Sequence, residues 1–205
     1  MRYTKDASVA KFRTAWLTLA VACGFVSCGP SWTMLKRSED GFSLALPGAV
    51  TCKPHEETRT TSGTLAGETC SAEYSGRGIS VLYGSTFGVS WDQLSGELET
   101  MSVNEVTKIL LSRAPPDAQP LSSRPLMLDG VAAVEYEWRV EPTTEQAEKA
   151  PPGYRFTTRR RYAVRDGRMY AIWVMGTLDA GQEKAWARVV ESFTFFQRSS
   201  PLSPP

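Results

Sequence analysis

The chain has 205 residues, 41% of them hydrophobic and 10% aromatic, enough for one domain with a hydrophobic core of its own. Four of its 23 basic residues, but only one of its 22 acidic residues, precede an apolar run near the N-terminus. The rest of the chain therefore has 19 basic and 21 acidic residues, which gives a net charge of −2. Nucleic acids require a dense basic surface, and this near-neutral domain gives no general reason to expect them as partners.

The first 27 residues have the pattern of an export signal. A basic region ends at Arg13, and residues 15–26 contain no charge. A membrane-spanning helix needs about 20 apolar residues, so this shorter run favours a signal peptide. The alternative is a short hydrophobic helix that packs on the domain.

Two cysteines follow small residues at the end of this run, as in the bacterial lipobox. Cys28 leaves an apolar segment of ordinary length, and Cys23 is the alternative, although neither has the preferred leucine three positions earlier. We predict a signal peptide over residues 1–27 and a lipidated tether over residues 28–40 that holds the protein on a membrane. Ordinary secretion with cleavage nearby is the other reading.

Residues 41–197 are predicted to form a single α+β domain, and the Pro/Ser-rich residues 198–205 a disordered tail. The domain opens with a strand over residues 42–46, which ends at Pro47-Gly48.

Two threonine-rich runs then meet at Ser62-Gly63, which predicts a long hairpin. Cys52 and Cys70 lie nearly equidistant from that turn, so we predict a disulfide between them in an oxidising compartment. A redox or metal pair is the alternative. It is disfavoured because the chain has no C-x-x-C motif and a single histidine, His55.

Helical patterns are predicted in two places. After a strand over residues 79–83, capping boxes at Ser90/Gln93 and Ser102/Glu105 predict two consecutive helices or one kinked helix. Near the C-terminus, Asp179 begins a pattern with i, i+3, i+4, i+7 spacing, which is the strongest helix signal in the chain.

Two further hairpins are marked by Asp-Gly dipeptides. Asp129-Gly130 precedes a strand over residues 131–140 that alternates, with Glu135 and Glu137 on its outward face. Asp166-Gly167 joins two runs over residues 156–164 and 169–175.

Arginines are concentrated on the strand before Asp166. The residues that share one face are Arg155, Arg159, Arg161 and Arg165. They form a candidate stripe for an anionic partner, such as acidic lipid headgroups or a polyanion. The alternative is a solvated sheet face whose arginines lie across from Glu135 and Glu137. Arg160 falls on the other, apolar face, and the pattern gives no reason for it.

The order of elements resembles that of PsbP-like domains. The resemblance is carried by DGFSLALPG at residues 40–48, RMY at residues 168–170 and SFTF at residues 192–195. Members of that family are α/β/α sandwiches around an antiparallel sheet, found in a photosystem subunit, a Ran-binding transport factor and bacterial envelope proteins. The resemblance implies a non-enzymatic interaction module and supplies no catalytic residue. Cystatin-like or NTF-type cone folds and an open β-barrel are alternatives.

The sequence contains no motif that carries chemistry. G-x-S-x-G, H-E-x-x-H and the P-loop are all absent, so we predict no enzyme, catalytic residue, metal or cofactor, unless His55 lies in a cleft beside carboxylates. We therefore predict an exported protein, anchored at the bacterial cell envelope on its periplasmic or outer side, that binds another envelope protein. The alternative is a carrier of a small apolar or lipid ligand, in a pocket between sheet and helices. Its predicted lining is Trp138, Tyr162, Tyr170 and Trp173. The oligomeric state is left open.

Overall fold

The structure is a computed structural model that describes residues 31–74, 84–112, 120–140, 156–177 and 180–197. These residues form eleven strands and two α-helices, with a 3₁₀ helix over Gly96–Thr100. The strands are β1 (Trp32–Arg37), β2 (Phe42–Pro47), β3 (Thr51–Pro54), β4 (Thr58–Thr60), β5 (Gly63–Tyr74), β6 (Ser85–Leu94), β7 (Ser122–Leu128), β8 (Val131–Val140), β9 (Phe156–Arg165), β10 (Arg168–Thr177) and β11 (Thr194–Phe195). The helices are α1 (Val103–Ser112) and α2 (Ala180–Glu191).

The strands form two antiparallel sheets. The main sheet has eight strands in the order β3-β5-β6-β10-β9-β8-β7, with β4 also paired to β5. The small sheet has the order β1-β2-β11, so it joins the first strands of the described chain to the last one. The predicted α+β class with an antiparallel sheet and packed helices is confirmed.

Each face of the main sheet carries its own hydrophobic core. On one face, Phe87, Val89 and Trp91 of β6 pack with Ile172 and other residues of β10 against the small sheet and α2. The opposite face packs against α1 and the 3₁₀ helix. Its buried apolar residues include Leu65, Leu94, Leu98, Val106, Val134, Tyr162 and Met169. The helices therefore lie on opposite faces of the main sheet.

The predicted turns are confirmed. Asp129 and Gly130 have φ of 44° and 76°, and Asp166 and Gly167 have φ of 50° and 67°. Two consecutive residues with positive φ are what a two-residue turn between twisted strands requires, and Asp-Gly adopts it with little strain. These two dipeptides fix the registers of the β7–β8 and β9–β10 hairpins.

The predicted disulfide is also present. Cys52 of β3 lies directly opposite Cys70 of β5, and the two sulfur atoms are bonded. Cys70 is fully buried in the core, whereas Cys52 is exposed at the edge of the sheet. The bond therefore attaches a short edge strand to the hydrophobic core.

The predicted tether over residues 28–40 is wrong for residues 32–37, because Trp32–Arg37 forms β1 and pairs along its whole length with β2. An edge strand of this kind gives a weak sequence signal. Leu35 and Arg37 face the core, with the Arg37 guanidinium 4.7 Å from the Trp91 ring, while Met34 is 64% exposed. Cys23 and Cys28, the signal peptide over residues 1–27, residues 28–30, the strand over residues 79–83 and the tail over residues 198–205 lie outside the described residues.

The helix predicted to begin at Ser90 is wrong, because Ser85–Leu94 forms β6 between β5 and β10. Leu94 and Leu98 are both buried, one at the end of the strand and one in the 3₁₀ helix, and this spacing mimics a helical stripe. The second capping box is confirmed. The Ser102 backbone N–H donates to Glu105 Oε2 over 2.8 Å, and hydrogen bonds from Ser102 lower the pKa of Glu105.

Removing the disulfide should lower the free energy of unfolding. Its cysteines are 18 residues apart, and closing a loop of that size contributes about 3 kcal/mol in the chain-entropy model. The Cys52→Ala/Cys70→Ala protein should lose this amount in urea unfolding without reductant. Dithiothreitol should destabilise the wild type by a similar amount and leave the variant unchanged. Equal stability of the oxidised wild type and the variant would contradict the prediction.

Candidate interaction face

One half of the α1-side face of the main sheet carries large side chains that α1 leaves partly uncovered. Four directly paired positions cross the sheet here: Tyr136 on β8, Arg160 on β9, Trp173 on β10 and Gly88 on β6. The neighbouring row contains Trp138, Thr158, Met175 and Thr86 in the same strand order. We name the exposed part of these rows, Trp138, Arg160, Trp173 and Met175, the Arg160 face.

The side chains of this face are large, mostly apolar and accessible. Met175 is 49% exposed, Trp138 and Trp173 are half-buried, and Arg160 is exposed. Aromatic residues, methionine and arginine are the types enriched in protein interfaces, where aspartate, glutamate and lysine are depleted. The composition of the Arg160 face is that of an interface centre.

Gly88 allows the indole of Trp173 to lie against the sheet. A Cβ atom at position 88 would be 2.3 Å from Cζ2 of Trp173 and 2.7 Å from the carbonyl oxygen of Cys70. No larger residue fits beneath the ring without moving it. The missing side chain at Gly88 therefore produces a flat aromatic platform.

Arg160 differs from the other arginines of β9 because it forms no ion pair with any described residue. Its guanidinium lies 5.9 Å from the Trp138 ring, and the residues directly across from it are Tyr136 and Trp173. The described arginines that do pair with carboxylates are Arg37, Arg59, Arg124, Arg159, Arg161, Arg165 and Arg168. Arg160 is thus a cation held among aromatic rings on an accessible surface.

Three of the arginines predicted to bind an anionic partner, Arg159, Arg161 and Arg165, are on the opposite face, next to α2 and β11. Arg159 and Arg161 are 16% and 13% exposed, and Arg165 contacts Asp166 over 3.4 Å and lies 5.0 Å from the Phe195 ring. Arg155 lies outside the described residues. Binding of an anionic partner here stays a prediction, and three of the four charges are already paired with carboxylates of this chain.

Arg159 is paired with carboxylates from two elements. Its guanidinium donates to Glu183 of α2 over 2.9 Å and to Glu137 of β8 over 3.2 Å. Burial acts to lower the pKa of Arg159, but the hydrogen bonds and charge of Glu183, with the charges of Glu137 and Glu135, raise it overall. The pairing across β8 and β9 follows the alternative weighed from the sequence.

Glu135 is buried, which corrects the prediction that it points to solvent. It is 5% exposed and accepts hydrogen bonds from Arg124 and Arg161, each over 2.8 Å. The alternation along β8 is predicted correctly, but Glu135 lies between Arg124 of β7 and Arg161 of β9 and not in solvent. A buried carboxylate of this kind needs its cations, since an unpaired charge in the interior is costly.

Replacing Glu135 should therefore destabilise the fold more than replacing its exposed neighbour. Glu135→Gln leaves Arg161 without a counter-charge, and breaking a buried pair in this way costs about 3 kcal/mol or more. Glu137→Gln, at a side chain that is 37% exposed, should cost less than about 1 kcal/mol. Urea unfolding of both variants measures the difference. Equal losses of free energy of unfolding in the two variants would show that burial does not determine how much these ion pairs stabilise the fold.

The predicted apolar pocket does not form from its four residues. Tyr170 lies on the small-sheet side, where its hydroxyl donates to the backbone oxygen of Asp40, while Tyr162, Trp138 and Trp173 are on the α1 side. A cleft of about 370 Å³ is present at the β7 edge, but its lining is polar. It is formed largely by Ser122, Ser123, Arg124, Glu135, Glu137 and Arg159.

His55 does lie beside a carboxylate, a pair that the sequence did not indicate. It is in the link between β3 and β4, and its Nε2 is 3.0 Å from Oδ1 of Asp92 on β6. Gly67, the strand neighbour of Asp92, accepts a hydrogen bond from the His55 backbone N–H over 3.1 Å, which holds the link beside β5. The Nδ1 atom is 3.1 Å from the backbone oxygen of Glu56, so both ring nitrogens have partners within the chain.

The pair does not have the form of a catalytic dyad. In a nucleophilic site one imidazole nitrogen is held by a carboxylate and the other faces a nucleophile, whereas the second nitrogen of His55 faces a backbone carbonyl. Burial raises the pKa of Asp92, and the charge of His55 acts in the opposite direction. The arrangement is suited to joining the β3–β4 link to the centre of the sheet.

Stability should depend on pH through Asp92. Burial raises the folded-state pKa of Asp92 above the ordinary 3.8. The stabilisation that the protonated carboxyl group contributes is therefore present at low pH, and it is lost as the pH rises through the folded-state pKa. The free energy of unfolding of Asp92→Asn relative to wild type should therefore increase between about pH 4 and pH 7. In a His55→Asn background the same change should shift to higher pH, because the lowering effect of the imidazole is gone. Urea unfolding at three pH values tests this, and parallel profiles would contradict it.

The described part of the chain contains no group of three or more histidine, cysteine, aspartate or glutamate side chains placed to hold a metal ion. Among its helices, none has the length and apolar character needed to cross a membrane.

Comparison with known proteins finds similarity only at the level of solved structures. The sequence matches no family model and no curated protein. The crystal structure of LpqN, involved in cell envelope biogenesis of Mycobacterium tuberculosis, is 13% identical, with 82% of this chain and 91% of LpqN covered and a TM-score of 0.40. The solution structure of the cyanobacterial PsbP protein CyanoP from Synechocystis sp. PCC 6803 is 13% identical, with 85% and 98% covered and a TM-score of 0.39.

The similar structures thus include a PsbP protein, from the family that the sequence resembles. At these TM-scores the likeness carries no argument about the site or the function. Both are argued from the residues of this chain.

Proposed function

We propose that this protein is an exported, membrane-anchored interaction module of the bacterial cell envelope, which binds a partner protein through the Arg160 face. The observation that carries the proposal is an accessible cation, Arg160, placed among Tyr136, Trp138 and Trp173 with no carboxylate partner among the described residues. Tryptophan, tyrosine and arginine are the residues that most often dominate binding energy in interfaces.

The partner that fits this face has an apolar surface with one acidic group. Trp173 and Met175 offer flat and flexible apolar area, and Arg160 offers a planar donor that pairs well with a carboxylate. Docking would remove water from around Arg160, which strengthens its attraction to a partner carboxylate. A partner without an acidic group would leave the guanidinium buried and unpaired, so the face also selects against such partners.

Export and anchoring are supported by the sequence and by the disulfide. Residues 1–27 have the pattern of an export signal, with Cys28 as the expected lipidation site and Cys23 as the alternative. The Cys52–Cys70 bond is of a kind that persists in oxidising compartments outside the cytoplasm. The protein is proposed to act without catalysis, because His55, its single histidine, already uses both ring nitrogens within the chain.

Site-specific cross-linking in cells tests the partner-binding face. A photoreactive amino acid in place of Met175 should cross-link to a discrete protein, whereas the same amino acid in place of Met34, on the other side of the molecule, should not give that product. Both methionines are exposed, at 49% and 64%, so accessibility is matched. Arg160→Glu should reduce the Met175 product roughly tenfold or more, as expected for an interface hot spot.

The control for the charge change is Arg139→Glu, at an exposed arginine on the opposite face of β8. It should leave the Met175 product unchanged. A product that survives Arg160→Glu, or a cross-link to lipid in place of protein, would contradict the proposal. Circular dichroism establishes that each variant is folded.

A further inference from the structure

The outer face of the small sheet is a second accessible surface, chemically different from the Arg160 face. Along β1, residues Leu35 and Arg37 face the main sheet, because they lie opposite Leu44 and Phe42 of the core. The alternate residues of β1 lie on its other face, beside α2 and the end of β11. Met34 and Lys36 are exposed there, and Trp32, at the start of the strand, is partly buried against the edge of the core. We name Trp32, Met34, Lys36, Arg188 and Phe196 the Trp32 face.

Cations and apolar groups alternate across this face. The Arg188 guanidinium lies 4.0 Å from the Trp32 ring, and Lys36 Nζ lies 5.7 Å from the Phe196 ring. Met34, between Trp32 and Lys36 in the row, is 64% exposed. Neither Lys36 nor Arg188 forms an ion pair with any described residue. The Trp32 face therefore combines two cations that lack carboxylate partners with exposed apolar surface.

The short distance in sequence between the candidate lipid anchor and the Trp32 face indicates which surface this face contacts. The candidate lipidation site, Cys28, precedes Trp32 by four residues, and four residues of fully extended chain span about 14 Å at most. The sequence predicts a tether through residue 40, but β1 begins at Trp32 and leaves a much shorter connection. An anchored domain is therefore held close to the bilayer, with β1 nearer to the anchor than any later strand.

We propose that the Trp32 face rests on an anionic lipid surface and fixes the orientation of the domain on the membrane. The inference rests on the membrane attachment in the proposed function and is independent of the partner-binding face. Lys36 and Arg188 would lie at the phosphate level, where basic side chains are attracted to anionic headgroups. Trp32 occupies the headgroup layer that tryptophan prefers, and Met34 contacts the edge of the acyl region. Lipid is favoured over a protein as the partner of the Trp32 face, because the anchor places this face close to the bilayer in every molecule.

The Trp32 face acts on the orientation of the domain more than on its affinity for the membrane. A single acyl chain gives only marginal membrane binding, and stable anchoring takes a second chain or a basic patch. Here the basic and aromatic surface adds little to a diacylated anchor in affinity. Its contribution is to orientation, because it removes the freedom of the domain to rotate about a short connection.

The test uses the full-length protein, purified from membranes and reconstituted in vesicles of phosphatidylethanolamine and phosphatidylglycerol. A polarity-sensitive fluorescent amino acid in place of Met34 should show a blue-shifted emission and lose its quenching by aqueous iodide. The same amino acid in place of Met175 should remain exposed to iodide. Lys36→Glu/Arg188→Glu should abolish the shift at position 34, because carboxylates are repelled by the anionic surface.

The matched control is Lys53→Glu/Lys108→Glu, at two exposed lysines on the other side of the main sheet, which changes the net charge equally. It should leave the shift at position 34 intact. If the protein floats with the vesicles but position 34 stays exposed to iodide, the proposed orientation is wrong and the membrane attachment is still supported. Protein that does not float with the vesicles would overturn both the inference and the membrane attachment. Neither result bears on the cross-link at Met175.

Discussion

The aromatic cluster around Phe42 is the contact on which the layered arrangement depends. Phe42 of β2 lies 5.0 Å from the Trp91 ring, 5.7 Å from the Tyr170 ring and 5.8 Å from the Phe193 ring. It thus joins the small sheet, two central strands of the main sheet and the segment after α2. Aromatic pairs of this geometry contribute about 0.5–1.5 kcal/mol each beyond the area that they bury. The cluster therefore forms the aromatic part of the core that β1 and β2 cover.

Polar contacts at the edge of this cluster fix the direction from which the small sheet approaches. Asp40, at the turn before β2, receives hydrogen bonds from Arg37 and Arg168 through its carboxylate, and from the Tyr170 hydroxyl through its backbone oxygen. Because the small sheet is fixed on one side of the main sheet, its outer face and the Arg160 face point in opposite directions. A domain that rests on lipid through the Trp32 face would present the Arg160 face away from the membrane, toward a partner.

The sequence predicts those parts of the fold that depend on local chemistry. Asp129-Gly130 and Asp166-Gly167 predict hairpins because few dipeptides adopt two positive φ angles, and the cysteine positions predict the disulfide through their distances from one turn. The sequence does not predict a strand where both faces of that strand are buried, because polar and apolar residues then no longer alternate. In β6, Asp92 and Trp91 are both buried, so alternation is weak and Ser90/Gln93 resembles a helix cap.

The candidate sites depend on contacts between residues far apart in the sequence. The sequence separates the two faces of β9 correctly, and the anionic-partner site that it assigns to the face with more arginines stays a prediction. Glu135, Glu137 and Glu183 pair with that face, and two of these positions could be anticipated from the β8–β9 register. Gly88 could not be placed beneath Trp173 while its segment lacked a strand assignment. His55 and Asp92 are 37 positions apart, and a pairing register is needed to join them.

The contrast within β9 is the strongest argument that Arg160 belongs to a binding surface. Arg159 and Arg161, on either side of it, have carboxylates at the positions directly across β8, and those pairs stabilise a packed interior. The positions across from Arg160 are Tyr136 and Trp173. An exposed contact between this cation and an aromatic ring contributes only about 0.5–1 kcal/mol, and the rings expose apolar area to water. The arrangement becomes more favourable when a second surface covers the rings and brings a carboxylate to Arg160.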